Sequence, residues 1–65
     1  MDTYSVTLDI SYYNEITGKN NKVTLTIPVT TNNDRVELEA IKKIQDLWGE
    51  LLTSHSVVKV LQIAG

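Results

Sequence analysis

Ser54, His55 and Ser56 stand in succession, and a serine beside a histidine is the pairing from which nucleophilic catalysis is built. That chemistry needs the serine oxygen at an imidazole nitrogen and a third group orienting the ring. Sequence neighbours do not normally supply this geometry, so His55 is read as a helix-terminal side chain, favourable to the negative end of the helix dipole. Glu37 and Glu39 point to different sides of a helix and make a poor acid–base couple. Asp46 and Glu50 lie one turn apart, but two carboxylates without a third ligand read as a solvated face. Gly18 stands alone, without the glycine-rich run that cradles a phosphate. The expectation is a protein that is not an enzyme, with no catalytic, metal-ligating or cofactor-binding residues and no small-molecule substrate.

Composition narrows the remaining classes. A chain of 65 residues is one domain. A domain of this size buries only about 60% of the surface its unfolded chain exposes. Such domains commonly gain stability from disulfides, a metal or a partner subunit. There are no cysteines and one histidine, which leaves association as the common route to extra stability. Eight acidic residues against six basic give a net charge of −2, mildly unfavourable for a phosphate backbone. Met1-Asp2 opens on polar, strand-like sequence with no leader pattern, and no apolar run is long enough to cross a membrane. The expectation is a soluble, cytoplasmic protein.

The residues must be positioned by three strands and a helix. Between residues 3 and 13, Tyr4, Val6, Leu8, Ile10 and Tyr12 alternate with Thr3, Ser5, Thr7, Asp9 and Ser11, the period of a half-buried strand. Residues 22–30 repeat the pattern with Val23, Leu25, Ile27 and Val29. The apolar faces match only if even positions of the first strand oppose odd positions of the second. A two-residue turn at Gly18-Lys19 satisfies this, pairs Tyr12 with Leu25 and Ile10 with Ile27, sets Glu15 opposite Lys22 and keeps Ile16 on the apolar face. The asparagines at 14, 20 and 21 also suit a looser loop. Pro28 cannot donate to a ladder, so the second strand belongs at a sheet edge.

A helix over residues 34–53 follows. Asp34 with Glu37 resembles a capping box, and apolar residues recur at Val36, Ala40, Ile41, Ile44, Leu47, Trp48, Leu51 and Leu52. Arg35–Glu39, Glu39–Lys43 and Lys42–Asp46 fall at i,i+4 on the other side, and Gly49 is tolerated inside. A third strand, residues 57–63, alternates weakly: Val57, Lys59, Leu61 and Ile63 on one face, Val58, Val60 and Gln62 on the other. The expected fold is α+β: ββαβ, a three-stranded antiparallel sheet in the order 2-1-3 with one amphipathic helix across a face. Val6, Leu8, Ile10, Leu25, Ile27, Ile44, Leu47 and Leu51 are its expected core.

The apolar surface points to function. The helix stripe spans about 160° at ~100° per residue, more than a helix on a small sheet needs. The surplus of Leu38, Ile41, Trp48 and Leu52, with Val58 and Val60 on the third strand, makes these six the candidate partner-binding residues. The expected role is a protein-binding module, an inhibitor or adaptor acting on a larger protein, or a homodimer. Trp48 would be the anchor of a helix contact, and the third strand an edge open to pairing. The alternative is a weak nucleic-acid binder using Lys19 and Lys22 at the hairpin tip and Tyr13 on the outer face. The layout, in a short chain rich in asparagine and threonine, is similar to that of many small phage and plasmid proteins, without a motif that ties it to a family.

Overall fold

Two segments of alternating sequence pair as a hairpin, and the third strand returns to lie beside the first. The computed structural model describes residues 1–64. It contains β1 (Asp2–Asn14), β2 (Lys19–Thr31), a helix α1 (Val36–Trp48) and β3 (Leu52–Ala64), with single 3₁₀ turns at Asn33–Arg35 and Gly49–Leu51. The sheet is antiparallel in the order β2-β1-β3, the expected α+β arrangement, with Pro28 on an edge strand. Each strand has 13 residues, about 43 Å at ~3.3 Å per residue, and the longest dimension is 42 Å. The 13-residue helix spans only about 20 Å at 1.5 Å per residue, so it covers half the sheet's length.

The hairpin register differs from expectation by four residues. Ile10 faces Val23, not Ile27; Tyr12 faces Asn21, not Leu25; and Val6 takes Ile27. The turn is the four-residue segment Glu15–Gly18. It is closed by the Gly18 N–H donating to the Asn14 carbonyl at 2.7 Å. The Asn14 side chain accepts from the N–H groups of Ile16 and Thr17 at 2.9 and 3.3 Å. An asparagine that satisfies backbone donors two and three residues on competes well with a tighter turn. Gly18 has a positive φ, +72°, as the last residue of this four-residue turn rather than the first of a two-residue one. Ile16 is solvent-exposed at the tip rather than on the apolar face, and Glu15 has no Lys22 opposite it.

The helix is shorter than residues 34–53 at both ends. The Asp34–Glu37 box does not form: neither cap position makes a side-chain hydrogen bond. Gly49 does not continue the helix but ends it, at φ +58° and ψ −132°, while its N–H bonds to the Gln45 carbonyl. That backbone geometry is open to glycine and closed to residues with a Cβ. The chain therefore re-enters the sheet at Leu52, five residues before the expected 57, and His55 is a strand residue rather than a helix terminus.

The core is Tyr4, Val6, Leu8, Ile10, Val29, Val36, Ala40 and Ile44, with Val23, Leu25, Ile27, Trp48, Leu52 and Val57 packed at its margin. Leu47 is a correction: it is 71% exposed, and Leu51 is only half-buried. The helix meets the sheet along its i,i+4 ridge, Val36–Ala40–Ile44–Trp48, which drifts by about 40° per step around the axis. Where Trp48 touches the sheet, Leu47 is turned away by roughly a quarter-turn. Trp48 stacks on Tyr12, ring centroids 4.4 Å apart and planes 26° from parallel.

Two stability predictions follow from this packing. Ile44→Ala should cost about 2–5 kcal/mol in urea unfolding, whereas Leu47→Ala should stay within about 0.5 kcal/mol; the reverse order would place the wrong face on the sheet. Among the glycines, Gly18→Asn should be nearly neutral because asparagine tolerates positive φ. Gly49→Asn, by contrast, should cost about 1–3 kcal/mol in the same assay.

Candidate partner-binding edge

The two sheet edges are treated differently, and the difference starts at one residue. Pro28 lies opposite Ser5. In an antiparallel ladder opposite residues alternate between pairs that exchange both hydrogen bonds and pairs that exchange none. Proline has no N–H, so Pro28–Ser5 is a non-bonded pair and the Pro28 carbonyl turns to the free edge. There Lys43 Nζ donates to it at 2.8 Å. Lys43 thus leaves the expected pairing with Glu39, which binds Arg35 and Lys42 instead at 3.8 and 4.0 Å. The β2 edge carries a missing donor and an occupied acceptor, two devices that discourage strand addition.

The same alternation fixes the other edge. Since Ser5 does not bond to β2, its N–H and C=O turn to β3 and to Leu61 opposite. The next residues on β3, Val60 and Gln62, then aim their backbone groups outward. Among the described residues no proline or side-chain hydrogen bond covers them, and Val58 57%, Val60 40%, Leu61 53% and Ile63 57% are exposed here, interleaved with exposed Lys59 and Gln62.

Three register shifts interrupt β3 against β1, between Thr3 and Tyr4, Thr7 and Leu8, and Ser11 and Tyr12. They skip Ile63, Val58 and Thr53 and explain the weak alternation of the sequence. Leu52, His55, Val57, Val60 and Gln62 consequently pair with Tyr12, Ile10, Leu8, Val6 and Tyr4, on the helix side of the sheet. Ser54, Ser56, Lys59, Leu61 and Ala64 pair on the outer side. The expected split, with Leu61 beside Val57 and Gln62 opposite it, is corrected by these shifts. Between the shifts, Lys59–Gln62 runs regularly.

The six candidate residues are not one cluster. Val58 and Val60 lie on the open edge. Ile41 is half-buried but lies off the core, about a quarter-turn from the contact ridge on the flank opposite Lys43, hence toward β3. Gln45 shares that flank and lines a hollow with Gly49, Leu52, Thr53, Ser54 and His55. Leu52 and Trp48 pack on the core margin, and the Trp48 Nε1 is buried without an acceptor. Leu38 is exposed on the back of the helix, away from the sheet.

The outer face carries threonine and serine hydroxyls, several of them bonded across β1 and β2. Thr3 bonds Thr30 at 3.0 Å, Thr7 bonds Thr26 at 3.1 Å, and Thr24 donates to Asp9 at 2.6 Å. Asp9, Ser11, Lys22, Thr24, Ser54 and Ser56 border a shallow hollow there, which Ile10, Val23 and His55 also line. His55 pairs opposite Ile10, on the other face from Ser54 and Ser56, and among the described residues it makes no hydrogen bond to either serine. Lys19 and Lys22 sit on β2 and Lys42 and Lys43 on the helix, with no shared stripe. Among the described residues, no three His, Asp or Glu side chains gather as a metal site, and no helix is long and apolar enough to cross a membrane. Burial, then Asp2, whose Oδ2 accepts from its hydroxyl at 3.3 Å, hold the Tyr4 pKa above the usual tyrosine value. Comparison with protein-family models, with curated proteins and with solved structures returns no match.

Register on β3 was hidden in the sequence because bulges leave no residue-type signature here; the signal for the closed edge was present in Pro28 and Lys43. If these two close β2, then Pro28→Val combined with Lys43→Ala should raise light scattering at high protein concentration well above that of either single variant. Unchanged scattering would mean that the β2 edge is protected by something else.

Proposed function

We propose that this chain is a small protein-binding module, an inhibitor or adaptor, that takes its protein partner as an added strand along β3. The observation that carries this reading is the asymmetry of the edges: Pro28 and Lys43 occupy one, whereas outward backbone groups and exposed valine, leucine and isoleucine side chains line the other. Strand addition supplies affinity through main-chain bonds and specificity through alternate side chains. On β3 those side chains are Val60 and Val58, with Ile41 on the helix flank above. Trp48 contributes by fixing the helix against Tyr12, not as an exposed anchor.

Matched charges on the two edges test the reading. Val60→Lys and Thr26→Lys each put one lysine on an outward-bonding position of an edge strand. Partner capture from extracts of the source cells, with folding checked by circular dichroism, should be lost for Val60→Lys and retained for Thr26→Lys. Equal capture by both variants, or selective loss with Thr26→Lys, would refute strand addition at β3.

A further inference from the structure

We infer that the strand added to β3 is, in the absence of another partner, the β3 of a second copy of this chain, paired antiparallel about a two-fold axis through Val60. The inference rests on the β3 reading above and goes further by committing to an occupant and a register.

The register follows from the edge itself. Val60 lies in the regular stretch between two shifts, and its backbone groups face outward. Placing Val60 opposite its own copy lets that pair exchange both hydrogen bonds. Two residues on either side, Val58 meets Gln62 of the copy, and Gln62 itself is outward-facing. Lys59 then lies opposite the copy's Leu61, so the pairing uses the regular stretch Lys59–Gln62 and ends at the shifts at Val58 and Ile63. The exposed Val58, Val60 and Leu61 are therefore covered by the copy. A shift of one residue would set Lys59 against Lys59 of the copy, and like charges directly opposite are unfavourable.

A standard interface takes about 800 Å² from each partner, a little under one-fifth of the 4496 Å² that this protein exposes. β3 is 13 of the 64 described residues, and the Ile41 flank adjoins it. A two-fold axis perpendicular to the sheet keeps both helices on one side of a continuous six-stranded sheet, ordered 2-1-3-3-1-2. Helices lying over the two β1 strands stand about 14 Å apart, three strand spacings of ~4.8 Å. Direct helix packing needs about 8–10 Å. The strand edge, not the helices, must then hold the dimer, and Leu38 takes no part.

Because the chain contains no cysteine, one introduced thiol reports the register without ambiguity. Opposite residues in a bonded pair have Cα atoms about 5.5 Å apart, within the ~4.4–6.8 Å range of disulfides. Sedimentation equilibrium of the unmodified protein should show a mass rising from 7.3 kDa toward twice that value with concentration. Under mild oxidation Val60→Cys should cross-link at concentrations where Thr26→Cys, on the β2 edge, does not. A constant 7.3 kDa at high micromolar concentration, or equal cross-linking of the two variants, overturns the second copy. A strict monomer whose partner capture is still abolished by Val60→Lys overturns only the second copy; a Val60→Lys variant that captures like the unmodified protein overturns the β3 reading itself.

Discussion

The absence of one N–H group organises this protein. Because Pro28 cannot join a bonded pair with Ser5, the alternation of hydrogen bonds is set for all three strands. Even residues of β1 bond to β2 and odd residues to β3. The even residues Tyr4, Val6, Leu8 and Ile10 are also those whose side chains enter the core. Backbone parity and side-chain parity are thus locked to one another. A slip by one residue would expose the whole apolar face and bury the threonine and serine face.

That lock explains both what could be read from residue types and what could not. The strands, the helix, the order 2-1-3 and the edge position of Pro28 all follow from periodicities of two and 3.6 and from one missing donor. The hairpin register did not follow, because every even displacement keeps the apolar faces matched. The Asn14 carbonyl and side chain, bonded to Gly18 and to Ile16 and Thr17, favour the one observed. The helix end escapes residue types for a similar reason: a glycine inside an apolar period is compatible with a helix unless its φ is positive, as at Gly49. Leu47 and Trp48 exchanged roles because the contact follows a ridge that rotates along the helix, whereas an average stripe assigns one direction to all turns. Residue types alone did not reveal that β3 shifts register three times.

The candidate edge was legible in part. Residue alternation puts Val58 and Val60 on the face away from Val57; both lie on the open strand, but the register shifts bring Val60 to the helix side with Val57. Trp48, chosen for its size, is drawn to the core margin by Tyr12, and Leu38 is separated from the strand by the helix itself. A sheet this small, half covered by a 13-residue helix, has few ways to manage two long edges. One edge is closed with a proline and a lysine. The other is interrupted by shifts at Thr53, Val58 and Ile63 and runs regularly between them, with Val60 in the stretch Lys59–Gln62.

Residue-resolved amide hydrogen exchange, recorded in dilute and in concentrated solution, tests this account most directly. In dilute solution the outward amides of Thr24, Thr26, Val60 and Gln62 should exchange quickly, while those of Leu25, Ile27, Lys59 and Leu61 are protected. Raising the concentration should protect Val60 and Gln62 and leave Thr24 and Thr26 unchanged. Concentration-dependent protection of Thr24 and Thr26 instead, or inward and outward sets reversed at dilution, would contradict it.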